Sequence, residues 1–166
     1  QLNYYRSLSE AKQGELRPQL VVCCFDQILN EAIEGIRSWE LTREYGILVE
    51  GEASRIEGRG DPVLIRQVLD NMLKNAVEAS PRAGRVRFNL SVDQDHIIFS
   101  VWNAGTLPAE IRSGLFCLGN STKSSARGVG TYSMKLIGEE VLGGRIDYTS
   151  AIETGTTFFF SLPRLA

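Results

Sequence analysis

Two asparagines four residues apart, Asn71 and Asn75, stand at the edge of a run of paired apolar residues. On a helix that spacing turns both amides to one side, offset by about 40°. An amide oxygen at the edge of a core can coordinate a hard cation without adding charge. Mg²⁺ suits such a place, because it takes few protein ligands and keeps waters or phosphate oxygens for the rest. Asn103 closes an apolar strand, with Gly105 two residues on. Its amide oxygen can accept from the amino edge of adenine, and the glycine lets a flat ring approach the backbone. Gly128, Val129, Gly130 and Thr131 open a helix, where free N–H groups and the helix dipole favour phosphate. Ser121, Thr122 and Lys123 lie just upstream and supply hydroxyls and a cation. Gly155-Thr156-Thr157 turns into the last strand. Each segment alone has an ordinary reading: a polar helix edge, an Asn-x-Gly turn, a polar loop, a hairpin turn. Taken in this order they describe a site for a nucleotide and its metal.

Other chemistries are excluded. No Lys-Ser/Thr pair follows the glycines, so the segment is not a P-loop. A third glycine and a preceding strand are missing, so it is not a dinucleotide fingerprint. The single histidine, His96, reads as a hairpin-turn residue with no second histidine or Cys-x-x-Cys to complete a metal site. Three cysteines, two of them adjacent, make no disulfide framework and read as thiols of a reducing compartment. With 18 basic and 20 acidic side chains the net charge is −2, which gives no footprint for nucleic acid. The longest apolar run, Leu20 to Phe25, is far short of a membrane span, and no signal peptide is visible.

These residues need a scaffold, and the 166-residue length fits one domain. Residues 1–14 read as the end of a helix that begins upstream, and a start at Gln1 instead of Met suggests a piece of a longer chain. Leu20 to Cys24 reads as a short buried strand. A helix follows, with Ile28, Leu29, Ala32, Ile33 and Ile36 at helical spacing and Asp26 in its first turn. Ile47 to Glu50 and Arg55 to Arg59 read as two short strands. Asp61-Pro62 is a strong helix start, and that helix runs to about Ser80 with apolar pairs from Leu64/Ile65 to Ala76/Val77. Val86 to Val92 and Ile97 to Val101 alternate as an antiparallel hairpin. A long polar segment over 103–128 carries a short helical piece, and loops of that length in compact domains are usually functional. A helix from Gly128 to Leu142 and a closing pair of strands complete the chain. The order predicts an α+β fold: a two-layer sandwich, with a mixed, mostly antiparallel sheet covered on one face by helices.

The residues also carry a resemblance. Asp70 to Ala79, reading DNMLKNAVEA, resembles the N box of sensor histidine kinases. Asn103-Ala104-Gly105 is similar to their first glycine box, and Leu115-Phe116 through Lys123 to their phenylalanine box and lid. Arg127 to Lys135 resembles the second glycine box, and Gly155 to Phe158 the closing box. The resemblance spans about Leu20 to Pro163. It implies the GHKL-type ATP-binding fold, shared with gyrase and mismatch-repair ATPases, and ATP with Mg²⁺ as cofactors. Asn75 would hold the metal with Asn71 in support. Asn103 and Gly105 would read adenine. Ser121, Thr122 and Lys123 would reach the outer phosphates, the backbone from Gly128 through Val129 and Gly130 to Thr131 would cradle them, and Thr156 completes the set. The function implied is supply of the γ-phosphoryl group to a histidine on a separate dimerisation domain, whose last turns would be residues 1–17, with 18–166 as the catalytic domain. No general base is assigned to this chain. The partners implied are that histidine-bearing domain and a downstream response regulator. The parent would be a homodimer in the cytoplasm, with or without a membrane anchor, and the isolated domain a monomer. Two departures stand out: Asn103 where the family usually has Asp, and Thr106-Leu107 where a second glycine is usual. A serine kinase or stand-alone ATPase of the same fold, or a module that binds partners without ATP, are the other functions the pattern admits.

Overall fold

The computed structural model describes residues 2–117 and 127–165. Ser121, Thr122 and Lys123 lie outside the described residues. The elements run α1 (Leu2–Lys12), β1 (Val21–Cys24), α2 (Phe25–Ser38), α3 (Glu40–Glu44), β2 (Leu48–Ala53), β3 (Glu57–Gly60), α4 (Pro62–Ala79), β4 (Arg85–Val92), β5 (His96–Asn103), α5 (Ala109–Arg112), α6 (Arg127–Lys135), β6 (Arg145–Ala151) and β7 (Gly155–Pro163). After Lys135 the helix continues as a wider π-helical turn, Leu136–Val141.

Five strands form one sheet in the order β2-β4-β5-β7-β6. Only β2 and β4 are parallel; the other neighbours are antiparallel. A parallel pair needs a crossover, and the segment carrying α4 supplies it. One face of the sheet presents Val86, Phe88, Leu90, Phe99, Val101, Phe158 and Phe160, all buried. Phe99 is the hub: it stacks on Phe160 at 5.9 Å and meets Phe25 and Phe88 edge-on at 6.2 and 6.5 Å. Over this face lie α2, which buries six residues from Phe25 to Ile36, and α4, which buries eight from Leu64 to Val77. The predicted two-layer α+β sandwich is the observed one.

The start of α4 is fixed as its sequence suggests. Asp61 is the N-cap and its Oδ1 accepts from the N–H groups of Val63 and Leu64, both at 3.0 Å. Its second oxygen accepts from Gln19 N–H at 2.8 Å, so the same carboxylate ties the chain before β1 to the central helix.

Two local expectations change. Leu20 to Cys24 does form a strand, but Leu20, Val21 and Val22 are exposed, Val22 at 78%. The strand pairs only with β3, in a two-stranded ribbon outside the main sheet, so one of its faces meets solvent. The two strands expected at 47–50 and 55–59 both form, as β2 and β3, in different sheets. His96 is the first residue of β5, not a member of the turn. Asp93 makes that turn, accepting from the N–H groups of Asp95 and His96 at 2.9 and 2.7 Å. Those backbone donors, Asp95 first, hold the Asp93 carboxyl below its ordinary pKa. Cys23 is half-buried and Cys24 lies beside Glu57; burial first, then the negative charge of Cys24 and Asp61, pushes the Cys23 thiol up. α1 packs on the π-helical turn with Leu8 and Ala11 buried, and Lys12 Nζ lies 5.3 Å from the centre of the Tyr132 ring on α6.

Replacing Asp61 by Ala leaves three N–H groups without their acceptor. Urea unfolding should show a loss of about 1–2 kcal/mol, with Asp61→Asn losing less. Equal midpoints for wild type and Asp61→Ala would show that the cap does not anchor α4.

Candidate functional site

The site is built on the polar edge of α4. The amide oxygens of Asn71 and Asn75 both face Gly130 on α6: a Cβ placed on Gly130 would lie 3.7 Å from Asn71 Oδ1 and 3.8 Å from Asn75 Oδ1. Their Nδ2 atoms are buried and find no hydrogen-bond partner among the described residues. Gln67 Nε2, one turn earlier on α4, shares that condition, as does the hydroxyl of the fully buried Ser133 on α6. Buried polar atoms without partners are few in folded proteins, and each asks for an explanation. Here three amides recur at four-residue spacing along one helix edge. Gln67 and Ser133 were not singled out in the sequence. The spacing from 67 to 71 to 75 was the available signal for Gln67; nothing local distinguishes Ser133.

A second group gathers where β5 and β6 end and β7 begins. Asn103, 1% exposed, is paired across the sheet with Thr156, 2% exposed. The Asn103 Nδ2 donates to the carbonyl of Gly105 at 3.4 Å, and the Thr156 hydroxyl donates to the same carbonyl at 2.8 Å. Ser150 Oγ lies 2.8 Å from Thr156 Oγ1 and accepts from Leu107 N–H at 2.9 Å. Glycine is required at two points. A Cβ on Gly105 would lie 2.2 Å from the carbonyl oxygen of Ala79, at the end of α4. Gly155 has φ +76° and would press a Cβ to 2.3 Å from the Asn103 carbonyl. The structure therefore brings Asn103, Gly105 and Thr156 together and sets them against the C-terminal end of the helix that carries Asn71 and Asn75.

The third wall is α6. Gly128 lies in its first turn, Val129 is half-buried, Gly130 faces α4, and Thr131 is buried. Before it, Leu115 enters the core and Phe116 packs against Tyr148 at 6.0 Å between ring centres. Lys135 Nζ sits 5.2 Å from the Phe116 ring, and the Tyr148 hydroxyl donates to the Arg112 carbonyl at 3.3 Å. These contacts fix the chain up to the segment that contains Ser121, Thr122 and Lys123. Among the described residues no cluster of His, Cys, Asp or Glu could hold a metal, and no helix is long and apolar enough to cross a membrane.

Residues 60–166 match the family model of histidine kinase-, DNA gyrase B- and HSP90-like ATPases. The chain belongs to this family. Within it, the chain is a GHKL-type catalytic domain of the sensor histidine kinase kind, an ATP-binding kinase domain. It is 30% identical over 156 residues to the C4-dicarboxylate transport sensor protein DctS of Rhodobacter capsulatus, covering 88% of this chain and 23% of that protein. It superimposes on the catalytic domain of histidine kinase ThkA with a TM-score of 0.77 at 25% identity, covering 89% of this chain and 97% of the other. The fold also matches histidine kinase ThkA in complex with response regulator protein TrrA, with a TM-score of 0.74 at 22% identity over 98% of this chain and 47% of that one. The chain spans under a quarter of the length of the curated relatives it matches.

The two glycines facing α4 predict opposite outcomes. Gly105→Ala drives a methyl group into the Ala79 carbonyl and should lower unfolding free energy by about 1–3 kcal/mol. Gly130→Ala meets only ordinary contact distances and should not lose stability. Chemical unfolding of both variants checks this; a Gly105→Ala protein as stable as wild type would refute the close approach.

Proposed function

We propose that this domain binds ATP with Mg²⁺ and presents the γ-phosphoryl group to a histidine on an upstream helical-hairpin dimerisation domain. The observation that carries the reading is the convergence of two neutral amide oxygens, from Asn71 and Asn75, beside Gly130 at the start of α6. An oxygen-only, uncharged donor pair next to a helix N-terminus suits a hard cation already shared with phosphates. The buried amide nitrogens behind those oxygens, without a partner among the described residues, fit side chains whose orientation is set by what the oxygens bind. Asn75 would hold the metal and Asn71 would support it. Bound there, Mg²⁺ neutralises charge on the phosphates, which is much of what phosphoryl transfer needs.

The remaining roles follow from position. Asn103 orients an acceptor oxygen for the adenine amine, and Gly105 keeps the floor of the base site flat. Thr156 holds Gly105 from below. The backbone of Gly128, Val129, Gly130 and Thr131 lines the phosphate end, with Ser121, Thr122 and Lys123 as the lid groups that reach the outer phosphates. Asn71 cannot abstract a proton. That supports transfer to an acceptor brought by another domain over hydrolysis by a water activated on α4. We take residues 1–17 as the end of the upstream dimerisation helix and 18–166 as the catalytic domain. In this reading the parent is a cytoplasmic homodimer, membrane-anchored or not, that passes the phosphoryl group to a response regulator, as the regulator-bound relative suggests.

Calorimetry with ATP tests the metal assignment. In Mg²⁺, Asn75→Ala should bind ATP about ten-fold or more weakly than wild type, the scale of a lost bond to a charged partner. Without Mg²⁺ the two proteins should bind alike. Equal affinity in Mg²⁺ would remove Asn75 from the site.

The base assignment has its own test. Asn103→Leu should abolish ATP binding, whereas Asn103→Asp should keep it or tighten it. A charge-assisted hydrogen bond exceeds a neutral one by on the order of 1 kcal/mol, or several-fold in affinity. ATP binding by Asn103→Leu at wild-type strength would place adenine recognition elsewhere.

A further inference from the structure

The hydrogen bonds around Gly105 have only one possible direction. A carbonyl oxygen accepts and never donates, so the Thr156 proton must point to Gly105 O at 2.8 Å. With that proton committed, the 2.8 Å contact between Ser150 and Thr156 must use the proton of Ser150. Ser150 in turn accepts from the Leu107 N–H at 2.9 Å. The chain therefore runs Leu107 N–H to Ser150 to Thr156 to Gly105 O, every donor used once. The Gly105 carbonyl takes its second bond from Asn103 Nδ2 at 3.4 Å. This fixes the Asn103 amide with its nitrogen toward Gly105 and its oxygen on the opposite side.

We propose that Ser150 is a specificity-determining residue for the base: by donating its own proton to Thr156 Oγ1, it holds the Thr156 hydroxyl with its proton on the Gly105 carbonyl, so that the base site presents acceptors only. Its hydroxyl contacts the loop and Thr156, not the ligand, so it is a positioning residue. The inference rests on the adenine reading of Asn103 given above. The acceptors left are the Asn103 amide oxygen and the remaining lone pair of Thr156. An exocyclic amine on the purine six-position satisfies them, and a carbonyl oxygen there meets them lone pair to lone pair. Without the Ser150 hydroxyl, Leu107 N–H loses its partner and Thr156 is held by its bond to Gly105 alone, from which it can turn to donate to a carbonyl-bearing base. Serine at this place also ties down the Thr106-Leu107 stretch that replaces the usual second glycine of the family.

The experiment is calorimetric titration of the full 166-residue chain with ATP and with GTP, both with Mg²⁺. Wild type should prefer ATP. In Ser150→Ala that preference should narrow by about two- to ten-fold, the reach of one neutral hydrogen bond, with ATP weakened and GTP strengthened. Ser150→Thr, which keeps the hydroxyl, should restore the preference. A role in folding alone would weaken both nucleotides equally, so an unchanged ratio in Ser150→Ala overturns the proposal while leaving the base assignment intact. If Ser150→Ala does not fold, Ser150→Cys, of similar size but a weak donor, reads the same ratio, and an unchanged ratio there overturns it too. A wild type that does not distinguish ATP from GTP would overturn the adenine reading and this inference with it.

Discussion

The Ala79 carbonyl and the Gly105 backbone share a space that one methyl group would close, since a Cβ there would come to 2.2 Å. That approach joins the two halves of the site. On one side it ends α4, the helix that carries the amides of Asn71 and Asn75. On the other it begins the turn after β5, whose last residue is Asn103. Because α4 is capped by Asp61 and buries eight apolar residues against the sheet, its far end has little freedom. The position of Gly105 is therefore set by packing on α4, and the Thr156 and Asn103 bonds to its carbonyl set its orientation. Separating the Asn71/Asn75 edge from the Asn103 end would require moving the central helix.

Helix α4 meets two demands that pull its sequence apart. Its inward face must be continuous hydrocarbon, and the rows from Leu64 to Val77 supply it. Its edge must be polar, yet close enough to α6 that the amide nitrogens are buried. Burying a neutral amide without a partner costs far less than burying a carboxylate. This favours Asn and Gln over Asp and Glu along that edge. It also keeps negative charge away from the place where a polyanionic ligand would sit. The same economy holds at Asn103, where a neutral amide donates to Gly105 and so helps hold the turn. A carboxylate could accept there but could not make that bond.

Much of this was legible in the sequence wherever cause and effect are close along the chain. Asp61-Pro62 dictates a helix start through one side chain and one fixed dihedral, and the observed cap is that one. Alternation over 86–92 and 97–101 dictates a hairpin, because the two strands need only a tight turn. The spacing of Asn71 and Asn75 put both on one edge. What was hidden depends on pairing between distant segments. β1 reads as buried because its residues are apolar, but among the described residues its only neighbour is β3, outside the main sheet, so Val22 points to solvent. Nothing in residues 47–53 announces that β2 lies parallel to β4, since the register is set across the whole of α4. Ser150 looks like any polar residue of an alternating strand until β6 is paired with β7 and Leu107 is brought over it.

The chemistry of the edge residues also defines what this domain leaves to others. Hydrolysis needs a group that takes a proton from water. Asn71, Asn75, Gln67 and Asn103 are amides that cannot ionise. In the proposed reading the arrangement would orient oxygens, exclude misfit bases and line a phosphate path, which are tasks of positioning and electrostatics. In phosphoryl transfer those tasks supply most of the rate enhancement, because the transition state is loose and asks little covalent help from the protein. A domain built this way gains nothing from a base of its own, and a base beside the phosphates would favour loss of the γ-phosphoryl group to water. In the proposed reading the nucleophile and whatever prepares it belong on the acceptor, which would keep the nucleotide intact until the acceptor arrives.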